Sequence, residues 1–415
     1  MDTDKGSVPL SKGNRNGKKA PGIVKKWASR LHLWLGMTVG ILVFIISITG
    51  CLYVFKDEIE DQLRKKVIFH GEPSIENKTI LPLRVLEAKV QEQCHEKYNV
   101  HWADIPMDKK RSYQFYFYET NPDGWNYFDE YIIYKTAYVN PFTGKVLAVY
   151  DEKNGFFNIV KIIHWSFLLN SGWGKYVVGI PVLIFLVMLI TGIILWWPKN
   201  KKARKQRFWF QWKNVRAWRR RNYDLHSILG FYASFVALIV AITGLFYAFT
   251  FVQNAIYFSF SGGKTSIPDF SDIVTRAPDS LRNEQTLDKI GRQVEALYPT
   301  AFSYSVDLGN EHLDSHEHPN FSVYVKQLGY SYHIMHQLIF DENSGALLKN
   351  YNHREKNLGE KAIGANYDVH VGAILGLPTK IIAFIASLIC ASLPVTGFLV
   401  WYGRRRKKKK PKPIV

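Results

Sequence analysis

Four stretches of this 415-residue chain contain no Asp, Glu, Lys or Arg: 31–55, 176–197, 225–252 and 381–402. Each has 22 or more residues, and at about 1.5 Å rise per residue each is long enough to cross a hydrocarbon core about 30 Å thick. Globular helices rarely run so far without a charged face, so these stretches read as membrane spans rather than buried helices of a soluble protein. The same lack of charge argues against an ion-coupled transporter, whose pathway needs ionisable groups inside the membrane. Cysteine is scarce: Cys51 and Cys390 fall inside apolar runs and Cys94 stands alone, which excludes a disulfide framework and a CxxC site. No G-x-S-x-G, no H-E-x-x-H, no compact carboxylate pair and no Gly-rich nucleotide fingerprint opening a helix occurs, so acid–base or nucleophilic catalysis has no visible apparatus.

Acids are also missing from three short flanks. Residues 1–30, 198–222 and 403–415 hold half of the 54 basic residues, and their only acids are Asp2 and Asp4. The formal charge of +19 is therefore a property of these flanks, and the remainder of the chain is net acidic. By the positive-inside rule the flanks lie in the cytoplasm, held there by anionic lipid, and no nucleic-acid partner is needed to explain them. The amino-terminal "MDTDKGSVPLSKGNRNGKKAPG" reads as a flexible arm, followed by a first span too long for a signal-peptide core and hence an uncleaved anchor.

The resulting plan has a basic arm (1–26), a first span (27–55), an outer domain (56–163) and an interfacial segment with the second span (164–197). A basic connector (198–222), a third span (223–252), a second outer domain (253–369), an interfacial segment with the fourth span (370–402) and a basic tail (403–415) follow. Each outer domain is expected to be a separate unit, with a helix followed by strands. "LPLRVLEAKVQEQC" precedes "RSYQFYFYE", "EYIIYKTAYVN" and "GKVLAVY" in the first; "NEQTLDKIGRQVEALYP" precedes "FSYSVDL", "NFSVYVKQLG", "YSYHIMHQLIFD" and "GALLKN" in the second. "VNPFTGKVL" and "FDENSGALL" supply matching hairpin turns before the last strand of each.

The spans repeat as well, so the chain reads as a duplicated unit. "LHLWLG" at 31–36 returns as "LHSILG" at 225–230, and eighteen residues separate His32 from Gly50 and His226 from Gly244. "ITGCLYVF" matches "ITGLFYAF", and "TGIILWW" matches "TGFLVWY". Ahead of the closing spans stand His164 and His370, 27 and 26 residues before Thr191 and Thr396, with Gly172, Gly174 and Pro378 to turn the chain into the membrane. Packed about a pseudo-two-fold axis, His32 would face His226 at one membrane surface and His164 would face His370 at the other.

Two neutral imidazoles across a gap are what a bis-ligated haem iron needs. Positions four and eight residues beyond His32 are Gly36 and Gly40, and beyond His226 they are Gly230 and Ser234, small enough to admit a porphyrin edge on the same helix face. Arg30 and Arg221 could neutralise propionates, and Trp34, Trp165, Trp173 and Trp196 could line an apolar pocket. A lone histidine at a bilayer edge more often snorkels to water, and small residues at this spacing also serve plain helix packing. It is the fourfold recurrence that favours ligation. Zinc or copper on the same residues competes, weakened by the missing Cys or carboxylate ligands.

With "LHxxLG…ITGxxY", the helix-and-sheet units and their Gly turns, the histidine before each closing span and the terminal "TGxxxW", residues 25–402 resemble the PepSY-associated transmembrane family, which includes siderophore-iron reductases of the ferrioxamine type. The resemblance implies an integral membrane α-helical core of four transmembrane helices, internally duplicated, with two periplasmic α+β PepSY-like domains. It also implies two haem b groups on His32, His226, His164 and His370. The implied function is a dihaem electron conduit in the bacterial inner membrane, both termini cytoplasmic, that reduces ferric siderophore or a similar ferric chelate outside and releases Fe²⁺. Some family members carry a fused reductase domain; this chain has none, so its donor would be a quinol or a separate cytoplasmic reductase. The competing reading is a membrane-anchored PepSY regulatory or binding protein without redox cofactor.

Two outer features remain. "EHLDSHEHPN" offers His312, His316 and His318 as a possible metal loop or a solvated one, whereas His333 and His336 are expected on opposite faces of one strand. "YETNPDGWNYFDEY" reads either as a contact for a large chelate or as a hairpin tip.

Overall fold

The computed structural model describes residues 22–72, 75, 78–198, 200–212, 217–268, 286–308, 320–341 and 344–407. Most of the basic arm, the end of the tail and the loop carrying His312, His316 and His318 lie outside the described residues. Four helices are long and apolar enough to cross a membrane: Ile23–Tyr53, Ser171–Trp196, Trp218–Ala248 and Leu377–Arg405, the first to fourth spans. The first and third spans each pack against the second and fourth, closing a four-helix ring. Successive spans run in opposite directions, so both long connections leave one side, the sheet side, and both termini the other.

Two shorter helices, Phe156–Ser166 and Leu358–Val371, lead into the second and fourth spans on the sheet side. The first ends in a tight turn in which Phe167 and Leu168 both take positive φ, at 54° and 62°, before Asn170 caps the second span by accepting from the Gly172 amide at 2.9 Å. The turn therefore precedes Gly172 and Gly174, which lie inside the span. A Cβ on Gly174 would stand 2.7 Å from Ser166 Cβ, so this glycine serves close packing. Pro378 stands in the first turn of the fourth span's helix, where proline's missing N–H costs nothing.

Beyond the bundle lie eight strands: β1 Val100–Pro106, β2 Tyr113–Thr120, β3 Tyr131–Val139, β4 Val146–Asp151, β5 Ser303–Asp307, β6 Asn320–Lys326, β7 Met335–Asp341 and β8 Leu347–Tyr351. The outer stretches, expected as separate units, form one antiparallel sheet in the order β4-β3-β2-β1-β5-β6-β7-β8. The seam is β1 against β5, with Asp104 opposite Ser305 at its centre. "VHWADIP" is the strand that the sequence patterning missed: an irregularity between Val100 and Trp102 breaks its alternation, and it ends in proline. The expected hairpin turns are present, with Gly144 and Gly345 at φ 70° and 59°.

Alternation splits the sheet into two chemically different faces. Ala103, Ile105, Phe115, Phe117, Val323, Val325, Leu338 and Phe340 point away from the bundle into a core closed by helices Leu83–Cys94 and Thr286–Leu297. The other face carries Trp102, Tyr116, Tyr118 and Tyr134 as an aromatic cluster, with Trp102 stacked on Tyr116 at 4.7 Å and the rest tilted or edge-on, and it looks back at the bundle. Buried Lys380 clamps Glu58 at 2.8 Å between the fourth span and the segment after the first, and Tyr330 donates to Asp61 at 2.5 Å. Ile105, 2% exposed, sits where the two halves share their core. Ile105→Ala is expected to cost about 2–5 kcal/mol, read as a lower thermal unfolding midpoint in detergent; an unchanged midpoint would mean that the seam carries little stability.

Candidate functional site

The four repeated histidines come together in two facing pairs. His32 and His226 have ring centres 6.3 Å apart with planes at 82°, on the termini side; His164 and His370 are 5.9 Å apart at 58°, on the sheet side. One partner of each pair comes from each half of the chain.

Every ring is held by a Thr-Gly dipeptide on a neighbouring helix. The Nδ1–H of His32 donates to Thr191 Oγ1 and the Met188 carbonyl, both at 3.1 Å, and that of His164 to Thr49 Oγ1 at 3.2 Å and the Ile46 carbonyl at 2.8 Å. His370 repeats this with Thr243 Oγ1 at 3.1 Å and the Val240 carbonyl at 3.0 Å, and His226 with Thr396 Oγ1 at 3.0 Å and the Leu393 carbonyl. Each threonine spends its own proton on a carbonyl one turn back, so toward the imidazole it acts as an acceptor. Carbonyls only accept, which fixes the proton on Nδ1 of all four rings. The lone pair is therefore on Nε2, the tautomer that a metal ligand needs.

The glycine of each dipeptide makes room for the ring. A Cβ on Gly50 would stand 3.0 Å from His164 Cε1, on Gly244 3.0 Å from His370 Cε1, on Gly397 3.1 Å from His226 Cε1 and on Gly192 3.3 Å from His32 Cε1. The clasp is reciprocal within each half: the first span offers His32 and Thr49-Gly50, while the segment around the second span offers His164 and Thr191-Gly192. The third and fourth spans repeat the exchange. The sequence displayed these dipeptides four times, in "ITG" and "TG" repeats, yet assigned them no partner, because a threonine and a histidine over a hundred residues apart leave no local trace. Gly36, Gly40 and Gly230 instead meet Met188, Pro394 and Leu393 of adjoining spans, and Ser234 is buried and donates to its own helix at 2.6 Å. They bring the spans close enough for the rings to reach their dipeptides. His226 itself lies in a π-turn, Leu225–Leu229, a distortion often found at functional positions, whereas His32 lies in regular α-helix.

Among the described residues no hydrogen bond engages any of the four Nε2 atoms. His101 Nδ1 is the one fully buried side-chain nitrogen or oxygen lacking a partner there, so the four Nε2 atoms border accessible space. Burial lowers the pKa of His164, and burial followed by the neighbouring His164 lowers that of His370 to about 4, so both are neutral at pH 7. A metal about 2 Å from each of two opposed Nε2 atoms would set the ring centres about 6 Å apart, which the two observed separations match. Among the described residues no cluster of three or more His, Cys, Asp or Glu has metal-site geometry, so a tetrahedral zinc site would lack protein ligands. Two imidazole donors per pair would suit a metal whose remaining positions are filled by a macrocycle of its own.

The other candidates are placed elsewhere. Exposed Arg30 and Arg221 lie over Trp27 and Trp212 near the termini-side pair. Trp34 is 71% exposed on the outside of the bundle, while buried Trp196 stacks on Phe231. His333 precedes β7 and donates to Asp368 at 2.8 Å; His336 is buried against Tyr298 and accepts from the His353 amide. These two do not converge. The "NPDGW" tip docks on the start of the second span, where the Asn170 amide donates to the Pro122 and Gly124 carbonyls and exposed Trp125 meets Trp173, so it is a hairpin tip anchored at the bundle's edge.

Two tests follow. Gly50→Leu or Gly244→Leu is expected to displace its imidazole and change the histidine ¹⁵N shifts, whereas Gly36→Ala, which meets only the flexible end of Met188 at 3.2 Å, leaves them unchanged. Without a bound group, the neutral His370 ring contributes fully to stability above pH 6.5, and that contribution falls as the pH drops toward about 4, because the unfolded chain then binds a proton that the folded one refuses. Detergent unfolding midpoints for wild type and His370→Gln should converge over that range.

A sequence profile of the PepSY-associated TM region matches residues 29–404, covering the second and third spans, nearly all of the first and fourth, both histidine pairs and the whole sheet. No curated protein matches the chain. With four apolar helices and a profile match over nearly its full length, the chain is a multi-pass membrane protein that belongs to the PepSY-associated TM family.

Proposed function

We propose that this protein is a dihaem b-type transmembrane electron carrier that reduces ferric iron in siderophore-type chelates on the sheet side and so releases Fe²⁺. The observation that supports this most directly is the two facing imidazole pairs, each ring held through Nδ1 with Nε2 unengaged, and ring centres separated as a shared metal would require. In this reading the recurrence of elements is an internal duplication and the two helix-and-sheet units are PepSY-like domains in the periplasm. In the same reading the membrane is the bacterial inner membrane and both termini are cytoplasmic, which the basic flanks support by the positive-inside rule.

The chain's own contribution is spacing, ligation and a dry path. Thr49, which holds His164, lies seventeen residues beyond His32 on the same helix, so the two pairs stand about 25 Å apart along the bundle. The spans between them carry no Asp, Glu, Lys or Arg in their apolar runs, so an electron crossing there meets a low dielectric. Hydrogen bonds donated by Nδ1–H fix each ring's orientation and raise its basicity as a ligand. When bound, haem supplies the reversible one-electron chemistry. On the sheet side, Trp102, Tyr116, Tyr118 and Tyr134 form an aromatic layer on the bundle-facing side of the sheet, which would give a chelate a surface to stack on. Hard oxygen chelators hold Fe²⁺ far less tightly than Fe³⁺, so one electron delivered to the bound ion frees it. The electrons come from a separate donor, a quinol or a cytoplasmic reductase.

The absorbance spectrum of the purified protein tests this. A sharp Soret band with about two haems per chain on extraction is expected, and His226→Ala and His164→Ala should each remove one haem and leave the other. A colourless wild-type protein overturns the proposal in favour of a membrane-anchored regulatory or binding protein.

A further inference from the structure

Beside the sheet-side pair stands a cation, Lys161, that among the described residues has no hydrogen-bonded or salt-bridged counter-ion and feels Glu152 and Glu60 only through space. Lys161 lies three residues before His164 on helix Phe156–Ser166, so the two side chains leave the same face. It is part-buried, and among the described residues it makes no hydrogen bond or ion pair. The nearby acids are already occupied: Glu152 takes both guanidinium nitrogens of Arg64 at 2.5 and 3.1 Å, and Glu60 takes Lys56 at 2.9 Å and Arg64 at 3.4 Å. Burial, then the charge of Lys56, lowers its pKa to about 8, which still leaves it mostly protonated at pH 7. An ammonium withdrawn from water and left unpaired is costly, and a docked anion would remove that cost. Three residues before His370, the matching position in the second half is Tyr367, which bonds to Tyr53. Of the two histidine-bearing helices, the first alone carries a cation three residues before its histidine.

We infer that Lys161 is the counter-cation of a carboxylate on the group that His164 and His370 hold, and that this carboxylate is a haem propionate. The inference rests on the haem reading above. The one-sided placement of Lys161 gives that group a preferred orientation, its carboxylate edge toward the helix Phe156–Ser166.

The test uses the purified full-length dihaem protein without added chelate, comparing wild type with Lys161→Gln and Lys161→Arg. Lys161→Gln is expected to surrender the sheet-side haem to a haem-free acceptor protein roughly tenfold faster or more and to lower that haem's midpoint potential, while the termini-side haem keeps its spectrum and reports an intact fold. Lys161→Arg should behave like wild type. Wild-type protein reconstituted with haem dimethyl ester, which has no free propionate, should lose its sheet-side haem as fast as Lys161→Gln, a comparison that needs no folded variant. Unchanged loss rate and potential in Lys161→Gln, or full retention of the dimethyl ester, overturns the assignment. So does an effect that appears only in the KM for an added ferric chelate, because the carboxylate would then belong to the chelate. A haem-free wild type would instead overturn the underlying reading.

Discussion

The hydrogen bond from each histidine Nδ1–H to a threonine hydroxyl and a backbone carbonyl on the next helix is the constraint on which the site depends. A neutral imidazole in an apolar bundle has one donor to satisfy and one lone pair to aim, and satisfying the donor decides where the lone pair points. The carbonyl comes from the turn before the threonine, and the threonine's own proton is spent inside its helix, so neither partner can reverse its role. The adjacent glycine removes the one side-chain atom that would stand in the ring's way. Four copies of this local device set both the tautomer and the direction of all four rings before any ligand is considered.

The device also explains why the spans pack as they do. Each histidine reaches the helix that carries the dipeptide, and that helix, or the segment leading into it, sends a histidine back at the other end of the bundle. The two spans of a half are thus pinned near both membrane faces. Facing pairs then arise only where one half meets the other, which ties the site to the contact between halves.

Much of this was legible in the sequence. Charge-free runs marked the four spans, the paired motifs singled out the four histidines, and alternation gave seven of the eight strands. What escaped had a common physical origin. β1 lacks clean alternation, and its importance comes from a partner two hundred residues away, so nothing local announced the seam that fuses two expected units into one sheet. The Thr-Gly dipeptides stood out only as repeated motifs, because threonine bonding to its own helix and glycine allowing close approach are ordinary in membranes and point to no partner. Gly36, Gly40 and Gly230 drew attention by lying near the histidines in sequence, whereas the glycines that touch the rings lie on other helices. Helical periodicity reports which residues share a face and says nothing about what lies across from it.

The seam between β1 and β5 bears on the histidines as well. Pairing of those strands holds the outer ends of the two halves against each other, so the separation of His164 and His370 is governed by the sheet above as well as by the ring of spans below.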